Sequence, residues 1–229
     1  MNTAITSYKR LCVNGEIENN HKQEELILRL TDFLRSTKKS FLDKIFSFTG
    51  KTKNKSCFYI HGKVGIGKTL IMDIIFKDFR NNNKNRFHFH EFMISTHDSL
   101  HKLRKEKQDN KEFLIAKFAK NFSKKTKFLF FDEFQVTNIA DAMILSHLFS
   151  ELFKNNVKII ITSNTHPDYL YKDGLQRELF LNFVKKIKKE SLVFNLEIDT
   201  DYRKKNLDLN EVFFISSSSA SSLKIDDIY

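Results

Sequence analysis

The stretch FYIHGKVGIGKTLIMDIIF, residues 58–76, places three of the chain's 6 glycines within six positions and follows them with Lys68 and Thr69. Ahead of the glycines, CFYIH (57–61) has the aromatic and branched composition of a short buried strand. Behind them, LIMDIIFKDF spaces its apolar residues as a helix does, leaving Asp73, Lys77 and Asp78 for a wetter face. Strand, glycine turn and helix form the setting in which G-x-x-x-x-G-K-[ST] becomes a phosphate cradle. Main-chain N–H groups of the turn and of the helix N-terminus then point at an anion, and the helix dipole favours negative charge there. The cradle comprises Gly62, Lys63, Val64, Gly65, Ile66, Gly67, Lys68 and Thr69. Lys68 suits the β- and γ-phosphates of a nucleoside triphosphate, and the Thr69 hydroxyl suits Mg²⁺. A glycine-rich turn with a solvated lysine is the plain alternative, and a second motif decides against it.

That motif is KFLFFDEF (127–134), in which four consecutive apolar residues run straight into Asp132 and Glu133. A buried strand emerging at its carboxyl end would deliver both carboxylates to the edge of a parallel sheet, where ligands bind. Asp132 can hold the Mg²⁺ that Thr69 also contacts, and Glu133 can polarise a water for in-line attack on the γ-phosphate. Together the two motifs point to a nucleoside triphosphatase. VKIIITSN (157–164) ends a further buried strand in Asn164. Spacing alone leaves two readings of that residue open. It is a polar amide for the attacking water or γ-phosphate, or part of an ordinary turn before His166 and Pro167.

Two more strand-like runs, RFHFHEFM (86–93) and SLVFNLEI (191–198), bring the total to five. Helical patterns fall between them, near 67–80, across 97–122 as one or two helices, at 138–155 and at 175–190. Strands alternating with helices predict an α/β fold, a five-stranded parallel sheet covered by helices on both faces. Residues 21–37 read as an amphipathic helix with Leu26, Leu30, Phe33 and Leu34 on one stripe. Residues 38–55 read as a basic connector whose aromatics tuck against the domain, in preference to a membrane-surface segment. The organisation expected is therefore a helical segment and connector over 1–55, a nucleotide-binding core over 56–205, and a flexible serine-rich tail over 206–229.

The net charge is +11, but 31 of the 39 basic residues are lysine and only 8 arginine. That bias suits solvated faces better than a dedicated nucleic-acid surface, so a nucleic-acid partner is not expected. Cys12 and Cys57 are too few for a disulfide framework, which predicts a reducing cytoplasm. No apolar run approaches a membrane span, and the first twenty residues lack the apolar stretch of a secretory leader. His88 and His90 would share one face if both lay on a strand, as a zinc site would need. With no further Cys/His set at ligand spacing, a hydrogen-bonded structural role is the preferred reading.

Six strings now stand in one order and spacing: IHGKVGIGKTLIMD, FHFHEFM, FLFFDEFQVTNIADAMIL, ITSN, LYKDGLQRELFLNF and TDYR. On these, over roughly residues 8–205, the chain resembles the ZapE and mitochondrial AFG-type family, a branch of the AAA+ ATPases. The resemblance implies a P-loop NTPase fold of the AAA+ (ASCE) type with strand order 5-1-4-3-2. It implies ATP and Mg²⁺ as ligands, residues 62–69 as the Walker A loop, Asp132 and Glu133 as the Walker B pair, and Asn164 as sensor 1. Arg177, in GLQRELF, matches the position of an arginine finger acting on a neighbouring copy. The bland alternative for that side chain is a salt bridge to Glu178 or Asp173.

Family members act at the inner membrane, which implies a cytoplasmic ATPase, peripheral at that membrane, working as a nucleotide-dependent homo-oligomer. Its partner would be an FtsZ-like division protein or an inner-membrane client. This chain has Lys63 and Ile66 where relatives usually show glycine or proline and arginine. Relatives also continue beyond TDYR, so any lid with its sensor-2 arginine is expected to be missing or reduced to something near Arg203. A non-hydrolysing, nucleotide-dependent interaction protein and a helicase-loader-like nucleic-acid ATPase are the competing readings. A small-molecule kinase is disfavoured, because Glu133 supplies a water-activating group that such a kinase does not need.

Overall fold

The computed structural model describes residues 3–36, 55–106 and 110–197 of the 229-residue chain. Residues 38–54 of the basic connector, Arg203 and the serine-rich tail lie outside the described residues.

Five short strands form the sheet: β1 (Cys57–His61), β2 (Lys84–His88), β3 (Phe128–Asp132), β4 (Lys158–Ser163) and β5 (Ser191–Asn195). All pairings are parallel, in the order β2-β3-β4-β1-β5. This is the order implied by the family resemblance, read from the other edge. Among the described residues seven α-helices connect or precede the strands: α1 (Thr3–Val13), α2 (His21–Arg35), α3 (Lys68–Asp78), α4 (Phe89–Glu106), α5 (Lys111–Lys125), α6 (Ile139–Lys154) and α7 (Arg177–Glu190).

The all-apolar strands are buried on both faces, and their side chains alternate between two cores. Phe58, Ile60, Phe128, Phe130 and Ile160 face α1, α2 and α3. Tyr59, Leu129, Phe131, Ile159 and Ile161 face α4, α5, α6 and α7. Asparagine supplies helix starts in three places. Asn20, Asn110 and Asn138 each accept a hydrogen bond from a main-chain N–H in the first turn of α2, α5 and α6. Lys158 of β4 closes the other end of α2, donating to the Phe33 carbonyl (2.6 Å) and the Ser36 hydroxyl (2.8 Å). Burial there pulls its ammonium down to about 8.

Three expectations change. The second strand ends at His88 rather than running to residue 93, and Phe89 opens α4. His88 and His90 therefore do not share a strand, and the face-sharing argument for them falls. Among the described residues no group of three or more His, Cys, Asp or Glu is placed to hold a metal ion. The helical stretch 97–122 is two helices, with the first starting eight residues early. Helix α1 carries no clear sequence signal, since only Ala4 and Tyr8 are buried along it. No described helix is long and apolar enough to cross a membrane.

Candidate nucleotide-binding site

The carboxyl ends of β1, β3 and β4 meet at one sheet edge, and a cavity of ≈ 210 Å³ opens there. One wall is the loop between β1 and α3, through Val64, Gly65, Gly67, Lys68 and Thr69. The opposite wall is Glu133 with Thr162, Ser163 and Asn164. Residues predicted from three separate motifs thus converge on one cleft.

The loop wraps tightly. Gly65 and Gly67 have φ of +85° and +87°, a left-handed conformation that costs glycine little and other residues much. Gly67 is also the cap of α3, with no side chain to accept a hydrogen bond, so the cap is made by backbone geometry alone. Lys68 folds back over the loop, its ammonium donating to the Gly62 carbonyl at 2.8 Å and the Lys63 carbonyl at 2.6 Å. Ile66 turns the other way. Its side chain is 2% exposed and packs in the core beneath α2, so only its main chain belongs to the cradle.

Below the loop, burial pushes His61 beneath its ordinary value, and the His166 ring (centroids 4.9 Å apart) and Lys68 add to this. The hard oxygens of Thr69 and Asp132 are of the type that suits Mg²⁺, and the loop around Lys68 fits a phosphate chain.

The two adjacent carboxylates differ in burial. Asp132 is buried, while Glu133 is exposed and faces the cleft. Glu133 sits at φ +53°, a left-handed value that a non-glycine residue keeps only when its surroundings enforce it. The enforcing groups come from β4. The Glu133 N–H donates to Thr162 Oγ1 at 3.3 Å and the Phe134 N–H to the Thr162 carbonyl at 2.8 Å. Ser163 Oγ donates to the Phe134 carbonyl at 2.7 Å. The turn carrying the carboxylate is thereby stapled to the next strand. Thr162 and Ser163 were legible only as a strand end.

Arg86 on β2 was missed altogether. Its Nε donates to Asp132 Oδ2 at 2.5 Å, and its Nη1 pairs with Asp73 of α3. Burial opposes its charge, but the two carboxylates outweigh that and raise its already high pKa. The carboxylate assigned to Mg²⁺ is therefore held from behind by a guanidinium. The one available signal was a lone arginine in a short strand, and strand order, which the sequence does not fix, is needed to read it.

Asn164 is exposed at the end of β4 and lines the cleft. Arg177 does not line it. Its Nη1 donates to the Leu170 carbonyl (3.0 Å) and its Nη2 to the Asp168 carbonyl (2.8 Å), and it pairs with neither Glu178 nor Asp173. The salt-bridge alternative is thus replaced by two main-chain contacts. Around it Tyr169, Leu175 and Leu179 are exposed apolar residues.

Residues 6–229 match the family of AFG1-like ATPases. Lactation elevated protein 1 homolog B of Danio rerio is 35% identical over 179 residues, 75% of this chain and 36% of that protein. The chain belongs to the AFG1-like ATPase family. Cell division protein ZapE of Escherichia coli is 40% identical over 149 residues, 65% of this chain and 38% of ZapE. The chain spans a little over a third of the length of the curated relatives it matches. Among solved structures, AMPPCP-bound DnaA of Aquifex aeolicus aligns with 87% of this chain and 55% of its own, at TM-score 0.51 and 18% identity. That likeness establishes the P-loop NTPase fold and nothing finer.

Proposed function

We propose that this chain is a Mg²⁺-dependent ATPase whose site is the cleft at the carboxyl ends of β1, β3 and β4. One observation carries the reading. The left-handed glycine loop with Lys68 and Thr69 faces Glu133 and Asn164 across one cavity of ≈ 210 Å³.

In that cleft the loop N–H groups and Lys68 would bind the phosphate chain, and Thr69 with Asp132 would hold Mg²⁺. The ion, when bound, neutralises charge on the β- and γ-phosphate oxygens. Glu133 would accept a proton from the attacking water, its aim fixed by the strained turn and the Thr162 contact. Asn164 would orient that water or the γ-phosphate. Arg177 would act from a neighbouring copy, because its own subunit leaves it outside the cleft. Two of its five guanidinium N–H groups are used on the Leu170 and Asp168 carbonyls, so the others can reach a partner's phosphate.

The name cell division protein carried by ZapE supports a division-related client; an inner-membrane protein client is the alternative that we propose beside it. We place the protein in the cytoplasm, peripheral at the inner membrane, a proposal that cell fractionation tests. The site reading is tested by Lys68→Ala, which removes a point charge and a donor from the phosphates. ATP-analogue titration should show binding in the parent and its loss in the variant, and equal affinity in both removes the assignment. Steady-state phosphate release by the parent separates an ATPase from a protein that only binds nucleotide.

A further inference from the structure

Helices α1 and α2 lie on the opposite side of the loop from the cleft, yet they reach its main chain. Gln23, in the first turn of α2, is 2% exposed, an unusual degree of burial for a primary amide. Its Nε2 donates to the Ile66 carbonyl at 3.0 Å, and its Oε1 accepts from the Tyr8 hydroxyl of α1 at 2.8 Å. Tyr8 is fully buried, and its oxygen in turn accepts the Asn20 N–H at 2.9 Å. A chain of three hydrogen bonds thus runs from the start of α2 through α1 to the phosphate loop.

The carbonyl at its end belongs to the peptide between Ile66 and Gly67. A trans peptide is planar, so its C=O and N–H point in opposite directions. Holding the Ile66 carbonyl toward Gln23 therefore aims the Gly67 N–H away from Gln23, toward the cleft that Gly67 lines. The left-handed conformations of Gly65 and Gly67 would not select this orientation by themselves, because glycine adopts either side of φ readily. Packing adds a second, independent sign of contact. A Cβ on Gly67 would lie 2.5 Å from Gln23 Nε2, so the amide rests directly on the loop.

We propose that Gln23, held by Tyr8, is a positioning residue of the nucleotide site, fixing the Ile66–Gly67 peptide so that its N–H faces the phosphates. This rests on the nucleotide reading above. Were the peptide to turn over, a carbonyl dipole would face the anion in place of a donor.

The test compares ATP affinity of the parent, Gln23→Leu and Gln23→Glu at pH 8 and pH 6, with each variant expressed relative to the parent at the same pH. That ratio cancels titration of ATP itself and of His61. Among the described residues the Gln23 side chain bonds the Tyr8 hydroxyl and the Ile66 carbonyl, and the charged residues of the adjoining segments include Glu18, whose carbonyl meets the Tyr8 hydroxyl, and Lys68 on the loop. Gln23→Leu removes the donor at both pH values and should weaken binding about tenfold at each. Gln23→Glu should match or exceed that loss at pH 8 and recover most of it at pH 6. A buried carboxyl takes up its proton early and can then donate to the Ile66 carbonyl as the amide does. In amide spectra, the Gly67 resonance should shift on ATP addition in the parent and shift little in Gln23→Leu.

Parent-like affinity in both folded variants, or a pH-independent loss in Gln23→Glu, overturns the proposal. If both variants fail to fold, Tyr8→Phe decides: it should weaken ATP binding a few-fold, and unchanged affinity overturns the idea. A parent that binds no ATP, or a Lys68→Ala variant that binds normally, sinks the nucleotide reading itself and takes this inference with it.

Discussion

Replacing Arg86 by methionine isolates what holds Asp132 in place. The substitution keeps an unbranched side chain of similar reach but removes the guanidinium that bonds Asp132 Oδ2 and Asp73. Asp73 is half-exposed and will be resolvated, so its loss should cost little. Asp132 is 4% exposed and keeps only the weak contact with Thr162 Oγ1 at 3.5 Å. An unpaired buried charge costs roughly 3–5 kcal/mol. Protonation sets a ceiling, since neutralising a carboxylate of ordinary pKa at pH 7 costs about 4 kcal/mol. The expected destabilisation at pH 7 is therefore about 3–4 kcal/mol.

The sign of the pH effect follows. Protonation relieves an unpaired buried carboxylate, so the deficit of the variant should be largest at neutral pH and shrink as the pH falls. At pH 5 the same protonation costs only about 1.5 kcal/mol, so roughly half or more of the loss should return. Urea denaturation of parent and variant at both pH values measures this. Arg86→Met/Asp132→Asn, with no charge left to strand, should be more stable than Arg86→Met alone at pH 7. A variant as stable as the parent at pH 7, or a deficit that does not shrink at pH 5, would refute the claim that Arg86 keeps Asp132 paired.

Glu133→Gln should bind ATP with Mg²⁺ and hydrolyse it about 10²-fold or more slowly, as for a lost general base, while Asp132→Asn should weaken Mg²⁺-dependent binding itself. Equal loss of binding in both would end that division of labour. Arg177→Ala strands two main-chain carbonyls and should lower the unfolding free energy by about 1–3 kcal/mol. Its ATP affinity should hold and its turnover should drop about 10³-fold. Mixing it with Glu133→Gln protein should restore turnover at interfaces that pair intact Glu133 with intact Arg177. No rescue at any ratio, with oligomers confirmed by sedimentation, argues against action in trans. Burial pushes the Cys57 thiol up to about 12, so thiol reagents should label Cys12 in the native protein and reach Cys57 only after denaturation.

Strands β1, β3 and β4 were legible because runs such as FLFF and III are apolar on both faces, which only a doubly covered parallel strand requires. The end of β2 was not. In RFHFHEFM the aromatics alternate, but Phe89, Phe92 and Met93 also fall on one helical face, and no cap residue marks the switch at Phe89. The cradle and the Asp132–Glu133 pair were legible because each is a contiguous motif bound to a local backbone shape. Arg86, Thr162, Gln23 and Tyr8 act across element boundaries. Their roles depend on β3 lying between β2 and β4, and on α1 and α2 packing behind the loop, facts that no local window contains.

The placement of β4 between β1 and β3 has a consequence for how far this machinery can drift. The glycine loop leaves the end of β1 and Glu133 leaves the end of β3, with a single strand between them. Their separation is therefore gauged by two hydrogen-bonded strand spacings, about 9–10 Å. A gauge made of backbone hydrogen bonds admits no intermediate settings. Loops around this edge can lengthen, shorten or change sequence, but the gap between the glycine loop and the Glu133 turn can change only by a whole strand or by breaking the sheet. The Thr162 and Ser163 contacts then lock the carboxylate turn to the strand that sets the gauge.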